Sequence, residues 1–289
     1  MPFRLSCLLV LLLVIAACGR EAPETPSVQK AAPAEVREAR VYTEQAGDRV
    51  RFLLDSPKAY PVTVTVRAQL SRMESDQPLP LTRSVRDARG QALFELRPGT
   101  GTGESEYRYE SRWQCGDAKG VHDRDQVYLL PLAPGTTYEL IQGAGGSYSH
   151  QDASFNAYDF AAAEGTVVRA ARAGVVCAIK ADSGTGGPDR RYADDANYVA
   201  VVHADGTVGW YLHLRQFSVV VSPGEAVAAG QLLGYSGNTG FSGRPHLHFE
   251  VFKPLTGSTR RSLPVRFATG ADEPQTLEQG KYYTPTEVP

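Results

Sequence analysis

The sequence predicts a mainly β protein with almost no helix, built as an immunoglobulin-like β-sandwich over residues 40–131 followed by an antiparallel β domain over residues 132–255. Short apolar runs alternate with a period of two between Gly and Pro punctuation, the pattern of strands joined by tight turns. From Gly143 onward, glycines crowd between short Val, Ala and Tyr runs, so the second part turns more often than the first.

The chain opens with one positive charge, Arg4, and an apolar run from Leu8 to Ala17 that stops abruptly at Cys18. The run is shorter than the roughly 20 residues that cross a bilayer core. It ends on small residues, so residues 1–17 read as a cleaved secretory signal. Ile15-Ala16-Ala17-Cys18 resembles the bacterial lipobox, in which the cysteine is acylated and begins the mature chain. This implies an exported protein anchored to a membrane through lipid on Cys18. Its place would be the cell envelope, facing the periplasm from the outer or inner membrane of a two-membrane bacterium. Residues 18–39 are rich in Ala, Pro and Glu and bury too little apolar surface to fold, so they read as a disordered tether.

In the first folded part the clearest strand is Pro61 to Arg67, with Ala92–Leu96, Tyr107–Arg112 and Val127–Leu130 behind it. Its only histidine, His122, sits beside Asp123 and Asp125 and reads as a surface loop residue. The second part offers Thr166–Arg169, Gly174–Lys180, Tyr198–His203, Gly209–Leu214, Gln231–Tyr235 and His246–Phe252. A long polar loop, Asp182 to Ala196, interrupts it and is expected to rim a groove without secondary structure of its own. The tail, 256–289, adds one strand over Ser262–Phe267 and the pair Tyr282 and Tyr283, and is expected to pack back on the body.

Loss of the signal removes one arginine and leaves 29 basic against 32 acidic side chains, a net charge of −3 that gives no electrostatic footing for nucleic acid. The chain is expected to act as a monomer. Besides Cys18, the mature chain keeps Cys115 and Cys177. Two arrangements are open in an oxidising compartment: a bridge between the domains, or a free Cys177 buried in the run Gly174–Ile179.

Five of the six histidines fall between His150 and His248. On a strand, His246 and His248 project from one face, with Leu247 and Phe249 on the other. Catalytic zinc takes three protein ligands and keeps a fourth position for water. His150, Asp159 and His213 are further candidates for such a site. A His-x-His pair alone is as often structural as metal-binding.

The span Gln142–Phe252 resembles the LytM/lysostaphin-type zinc endopeptidases, which cut peptide cross-links in bacterial cell walls. Four stretches carry the resemblance: Gly146–His150 with Tyr158-Asp159-Phe160; Glu164–Ala170 leading to Gly174-Val175-Val176; Asn197–His203 with Asp205-Gly206 and Tyr211–Leu214; and Ser236–Gly240 followed by His246–Glu250. It implies a barrel-like peptidase fold for 132–255, and a peptidoglycan peptide as substrate. It also implies a zinc ion (Zn2+) held by His150, Asp159 and His248, with His246 and His213 beside the reacting water. His150 precedes Asp159 by nine residues where the family pattern has four, so Gln151–Tyr158 reads as an inserted loop; if His150 does not reach Asp159, Asp152 or Asn156 is the substitute.

No His-Glu-x-x-His helix supplies a glutamate base. His246 is the first choice as general base, with His213 orienting the water or, when protonated, donating to the oxyanion; the two roles are exchangeable. His203 reads as structural, Asn197 and Asn238 as turn residues. Glu250 is either a partner behind His248 or a surface carboxylate. The alternative to an enzyme is a non-catalytic envelope protein that binds cell wall or activates amidases, as relatives without the ligands do.

Overall fold

In a computed structural model the described residues are 39–100, 103–270 and 273–286. The signal peptide, the acylated Cys18 and the tether expected before Ala39 lie outside them. Helix among the described residues is confined to two short 3-10 segments, Asp152–Ser154 and Arg190–Asp195. The rest is strand and turn, as the period-two patterning predicts.

The N-terminal part forms two antiparallel sheets. One takes β1 (Arg40–Ala46), β2 (Arg49–Ser56), β6 (Ala88–Pro98) and β4 (Met73–Ser75) in that order; the other takes β5 (Leu81–Val85), β3 (Val62–Ser71) and β7 (Glu106–Cys115). Phe52 stacks on Phe94 with centroids 4.2 Å apart, and Val62, Val64 and Val66 complete the centre of this core. On the opposite face of β3, Thr63 and Thr65 are buried as well, while Arg67 and Gln69 further along are exposed. Thr65 there accepts from the backbone N–H of Gly257 at 2.8 Å, and Gln114 donates to Thr256 and Thr259 carbonyls. Thr side chains thus remain satisfied under the C-terminal segment instead of facing water.

The remaining strands are β8 (Val127–Leu129), β9 (Tyr138–Gln142), β10 (Tyr158–Ala161), β11 (Val167–Arg169), β12 (Gly174–Lys180), β13 (Gly186–Gly187), β14 (Tyr198–Val202) and β15 (Val208–Leu212). They continue with β16 (Ala226–Val227), β17 (Leu232–Tyr235), β18 (Gly240–Phe241), β19 (His246–Pro254), β20 (Arg260–Ser262), β21 (Arg266–Ala268) and β22 (Tyr282–Tyr283). The main sheet runs β16-β12-β14-β15-β19-β10-β9-β22, with β20 also on β19. Leu247, Phe249 and Val251 turn one face of β19 into the second core, where they are fully buried with Tyr158, Phe160 and Tyr211.

The two parts share surface. Cys177, Ala200, Val202 and Phe252 of the main sheet belong to the same apolar cluster as the N-terminal strands. A Cys115–Cys177 disulfide, one of the two arrangements open from sequence, joins β7 to β12 across 62 residues. Loop entropy alone makes such a bridge worth about 4 kcal/mol.

Two expectations change. The loop 182–196 is not structureless: β13 pairs in parallel with β18, and Arg190–Asp195 winds into its 3-10 turn behind Asp189, whose carboxylate accepts from Arg191 N–H. A Cβ at Gly186 would lie 2.0 Å from the Asn238 carbonyl, so only glycine permits this pairing. The single tail strand expected over Ser262–Phe267 is two strands, β20 and β21, on different partners. Pro264 between them has no N–H to continue a ladder.

Candidate active site

The site is built on β19. Its pleat puts His246, His248 and Glu250 on the face away from the core. Antiparallel register sets Asp159 of β10 directly opposite His248 on one side and Leu212 of β15 on the other. Asp159 Oδ1 lies 2.8 Å from His248 Nδ1, and its Oδ2 accepts from Gln142 Nε2 at 3.2 Å.

His150 reaches this pair despite the insertion. The segment 151–157 folds back through its 3-10 turn, with Ala157 N–H bonded to the Ser154 carbonyl, so the ends of the excursion close. His150 is fully buried, and its Nδ1 bonds the Gly143 carbonyl at 2.8 Å. A carbonyl only accepts, so the proton sits on Nδ1 and Nε2 presents a lone pair. That Nε2 is buried with no hydrogen-bond partner, 3.1 Å from Asp159 Oδ1. Donor atoms of His150, Asp159 and His248 all lie within 4.8 Å of one another. Two imidazoles and a carboxylate converging on one point, one of them with an unused lone pair, fit a zinc-sized cation. The two substitutes are placed elsewhere: Asp152 is exposed, and Asn156 bonds Ser262.

His246 Nδ1 bonds the Arg244 carbonyl at 2.8 Å, and His213 Nδ1 bonds the Thr239 carbonyl at 2.7 Å. Both therefore offer Nε2 as an acceptor. Their rings are 4.5 Å apart, and His246 Nε2 is 3.8 Å from Asp159 Oδ1. His213 is not within a strand, as the sequence suggests, but one residue past β15 with φ of 65°. That left-handed step swings its ring off the sheet toward His246.

Burial opposes the charge on Asp159, yet the hydrogen bond and charge of His248, with His246 beside it, hold its carboxyl well below the usual carboxylate range. Burial, then the neighbouring His246 and His248, pushes His213 down to about 3. Burial also lowers His246. His248 goes the other way, to about 9: burial works against its charge, but Asp159 and Glu250 outweigh it.

Glu250 is fully buried, which removes the surface-carboxylate reading. Arg260 Nε donates to its Oε1 at 2.8 Å, while Oε2 stands 3.8 Å from His248 Nε2, too far for a hydrogen bond. Asn197 holds the loop end, donating to Ser183 and Leu214 carbonyls, and Asn238 accepts from Ser242 Oγ in the turn before His246. Sequence reasoning does not find Gln142 or Arg260. Both act through pairings between distant segments, and neither stands in a local motif.

An open cavity of about 480 Å3 lies over these groups, bordered by Tyr148, Arg190, Trp210, Phe241 and Arg244. Arg190, Ala193 and Ala196 bring the 182–196 segment to its rim. The arrangement provides donors for a cation at the floor of a groove, two neutral imidazole acceptors beside them, and room for an extended chain above.

Residues 154–261 match the model of Peptidase family M23. Over 76 residues, 26% of this chain, the sequence is 40% identical to the glycyl-glycine endopeptidase ALE-1 of Staphylococcus capitis, covering 20% of that protein. Over 99 residues, 34% of this chain, it is 37% identical to the peptidoglycan DD-endopeptidase ShyA of Vibrio cholerae, again covering 20%. The chain thus spans about a fifth of the length of these relatives. The solved catalytic domain of lysostaphin from Staphylococcus simulans aligns with 44% of this chain and 87% of its own, at 26% identity and a TM-score of 0.31. The matched residues 154–261 include Asp159, His213, His246 and His248 of the site.

Proposed function

We propose that this chain is a zinc-dependent endopeptidase that hydrolyses amide bonds in the peptides and cross-links of peptidoglycan. The observation that carries the reading is the buried, unpartnered Nε2 of His150 aimed at Asp159 and His248. A ring nitrogen taken out of water without a partner costs free energy that a bound cation returns. His150, Asp159 and His248 are the ligands. Zinc so held supplies Lewis acidity toward the scissile carbonyl and makes water a nucleophile near neutral pH.

His246 Nε2 takes a proton from the attacking water and returns it to the leaving amine. The carbonyl of Arg244 keeps its tautomer fixed. His213, neutral because of its burial, orients the water through Nε2 and cannot donate to the oxyanion from that atom. Gln142 steadies the second oxygen of Asp159. The open cavity receives the peptide.

The same reading gives the chain an envelope location, with lipid on Cys18 holding a monomer to the membrane, a tether over 18–39, and the two N-terminal sheets as an immunoglobulin-like sandwich. A substrate that is a fixed mesh near the membrane suits a tethered hydrolase. The relatives are named for glycyl-glycine and DD bonds, so the bond class is left at the amide.

The test incubates the full chain with purified peptidoglycan, with and without a chelator, and identifies released fragments by mass while bound metal is measured. Chelator-sensitive release of peptide fragments is the expected result. No release from a protein without bound zinc overturns the reading and leaves the non-catalytic envelope role.

A further inference from the structure

The chain has two tryptophans, Trp113 and Trp210, and both line one cleft where the N-terminal sheets meet the main sheet. The cleft has a volume of about 360 Å3. Trp113 comes from β7, Trp210 from β15, and Tyr198 and Phe252 set their rings edge-on to Trp210 at 5.7 and 5.9 Å. Arg260 lies 4.3 Å over the Trp210 ring. Both indoles are partly exposed, an arrangement with an apolar face and a wet edge.

This cleft continues the groove of the candidate active site. Trp210 and Arg260 line both. The groove-side positions of β19 lead from His248 through Glu250 to Phe252, about 13 Å along a strand. Among the described residues Arg260 is the only charged group lining the cleft, and Glu250 already neutralises it; the Lys58 ammonium lies 5.5 Å from the Trp113 ring and is not free. An anionic peptide finds no unpaired cation here. A neutral ring with an apolar C–H face and a polar rim fits: its face covers an indole, and its rim meets water and the outer guanidinium edge.

We infer that the cleft is a saccharide subsite, which takes a neutral N-acetylhexosamine ring of the glycan that carries the cleaved peptide. The inference rests on the peptidoglycan reading above for its occupant. It also explains what the N-terminal part contributes, because Trp113 completes the groove and the Cys115–Cys177 bridge holds Trp113 against the main sheet.

The two indoles are the chain's only ones and both line this cleft, so indole emission of the full-length protein, excited beyond tyrosine absorption, reports on the cleft and, through Trp210, on the adjoining groove. Titration with the neutral tetramer of N-acetylglucosamine should give a saturable emission change. Trp113→Ala should weaken it about three- to tenfold, the range for one aromatic contact. Ala178→Leu, which fills the cleft and keeps both indoles, should do the same. Circular dichroism checks the fold of each variant.

In a second arm, KM is measured for a cross-linked muropeptide bearing its disaccharides and for the same peptide stripped of sugar. The wild-type KM should be lower with sugar, and both variants should bring the ratio toward one. No saturable response to the saccharide, a response to the sugar-free peptide alone, or a wild-type KM ratio of one overturns the subsite. Failure to hydrolyse either peptide sinks the endopeptidase reading instead, and the fluorescence titration still decides the subsite.

Discussion

His150 and His203 are made alike and sit in different company. Each ring is buried, at 0% and 1% exposure. Each uses Nδ1 on a backbone carbonyl, Gly143 at 2.8 Å and Ala173 at 3.0 Å, and each leaves Nε2 buried without a partner. Beyond Nε2 of His150 stand Asp159 and His248. Beyond Nε2 of His203 stands Gly209, where an added Cβ would come within 3.0 Å. An orphaned ring nitrogen is therefore not by itself a ligand signal; convergence of other donors on the same point makes it one.

The largest effect that separates the two sites comes from removing a ligand. His248→Ala should lose both bound metal and turnover, while His203→Gln should keep its metal, as metal analysis and peptidoglycan digestion will show. Equal metal loss in both variants would erase the distinction. His246→Ala sharpens it next: metal should stay and the rate should fall about 10²- to 10⁴-fold, the range for a general base. Metal loss equal to that of His248→Ala would move His246 from the water to the ligand set.

Acid separates the sites by another route. Burial, against the bond to Ala173, lowers the His203 pKa to about 4. The unfolded chain, with an ordinary imidazole near 6.5, then binds the extra proton first. Stability is full above about pH 6.5 and falls as pH drops toward 4, by about 3 kcal/mol in all. Denaturant midpoints across that window, wild type against His203→Gln, should differ in slope; parallel curves would remove His203 from the balance. The smallest effect is Gly209→Ala, which crowds His203 Nε2 and should cost about 1–3 kcal/mol without changing metal content.

Legibility from sequence was uneven for physical reasons. Strand periodicity is local, so β12, β14, β15 and β19 of the main sheet, and the shared face of His246, His248 and Glu250, could be read directly. Glu250's burial could not, because it depends on Arg260 arriving from β20. Nor could the left-handed turn at His213, which is held by a carbonyl 26 residues further on. The structure in the 182–196 segment rests on Gly186 meeting Gly240, a pairing that no periodicity encodes.

What the sequence by itself determined is the alternation at His246-Leu247-His248-Phe249-Glu250, because the pleat of a strand sends every second side chain to one face whatever surrounds it. Only the tertiary structure decided the rest of the site: that an excursion of seven residues closes so that His150 meets Asp159, that its Nε2 is left unpartnered, and that Trp113 and Trp210 line one cleft. Those outcomes depend on register and packing between segments up to about a hundred residues apart, and nothing in a local window carries that information.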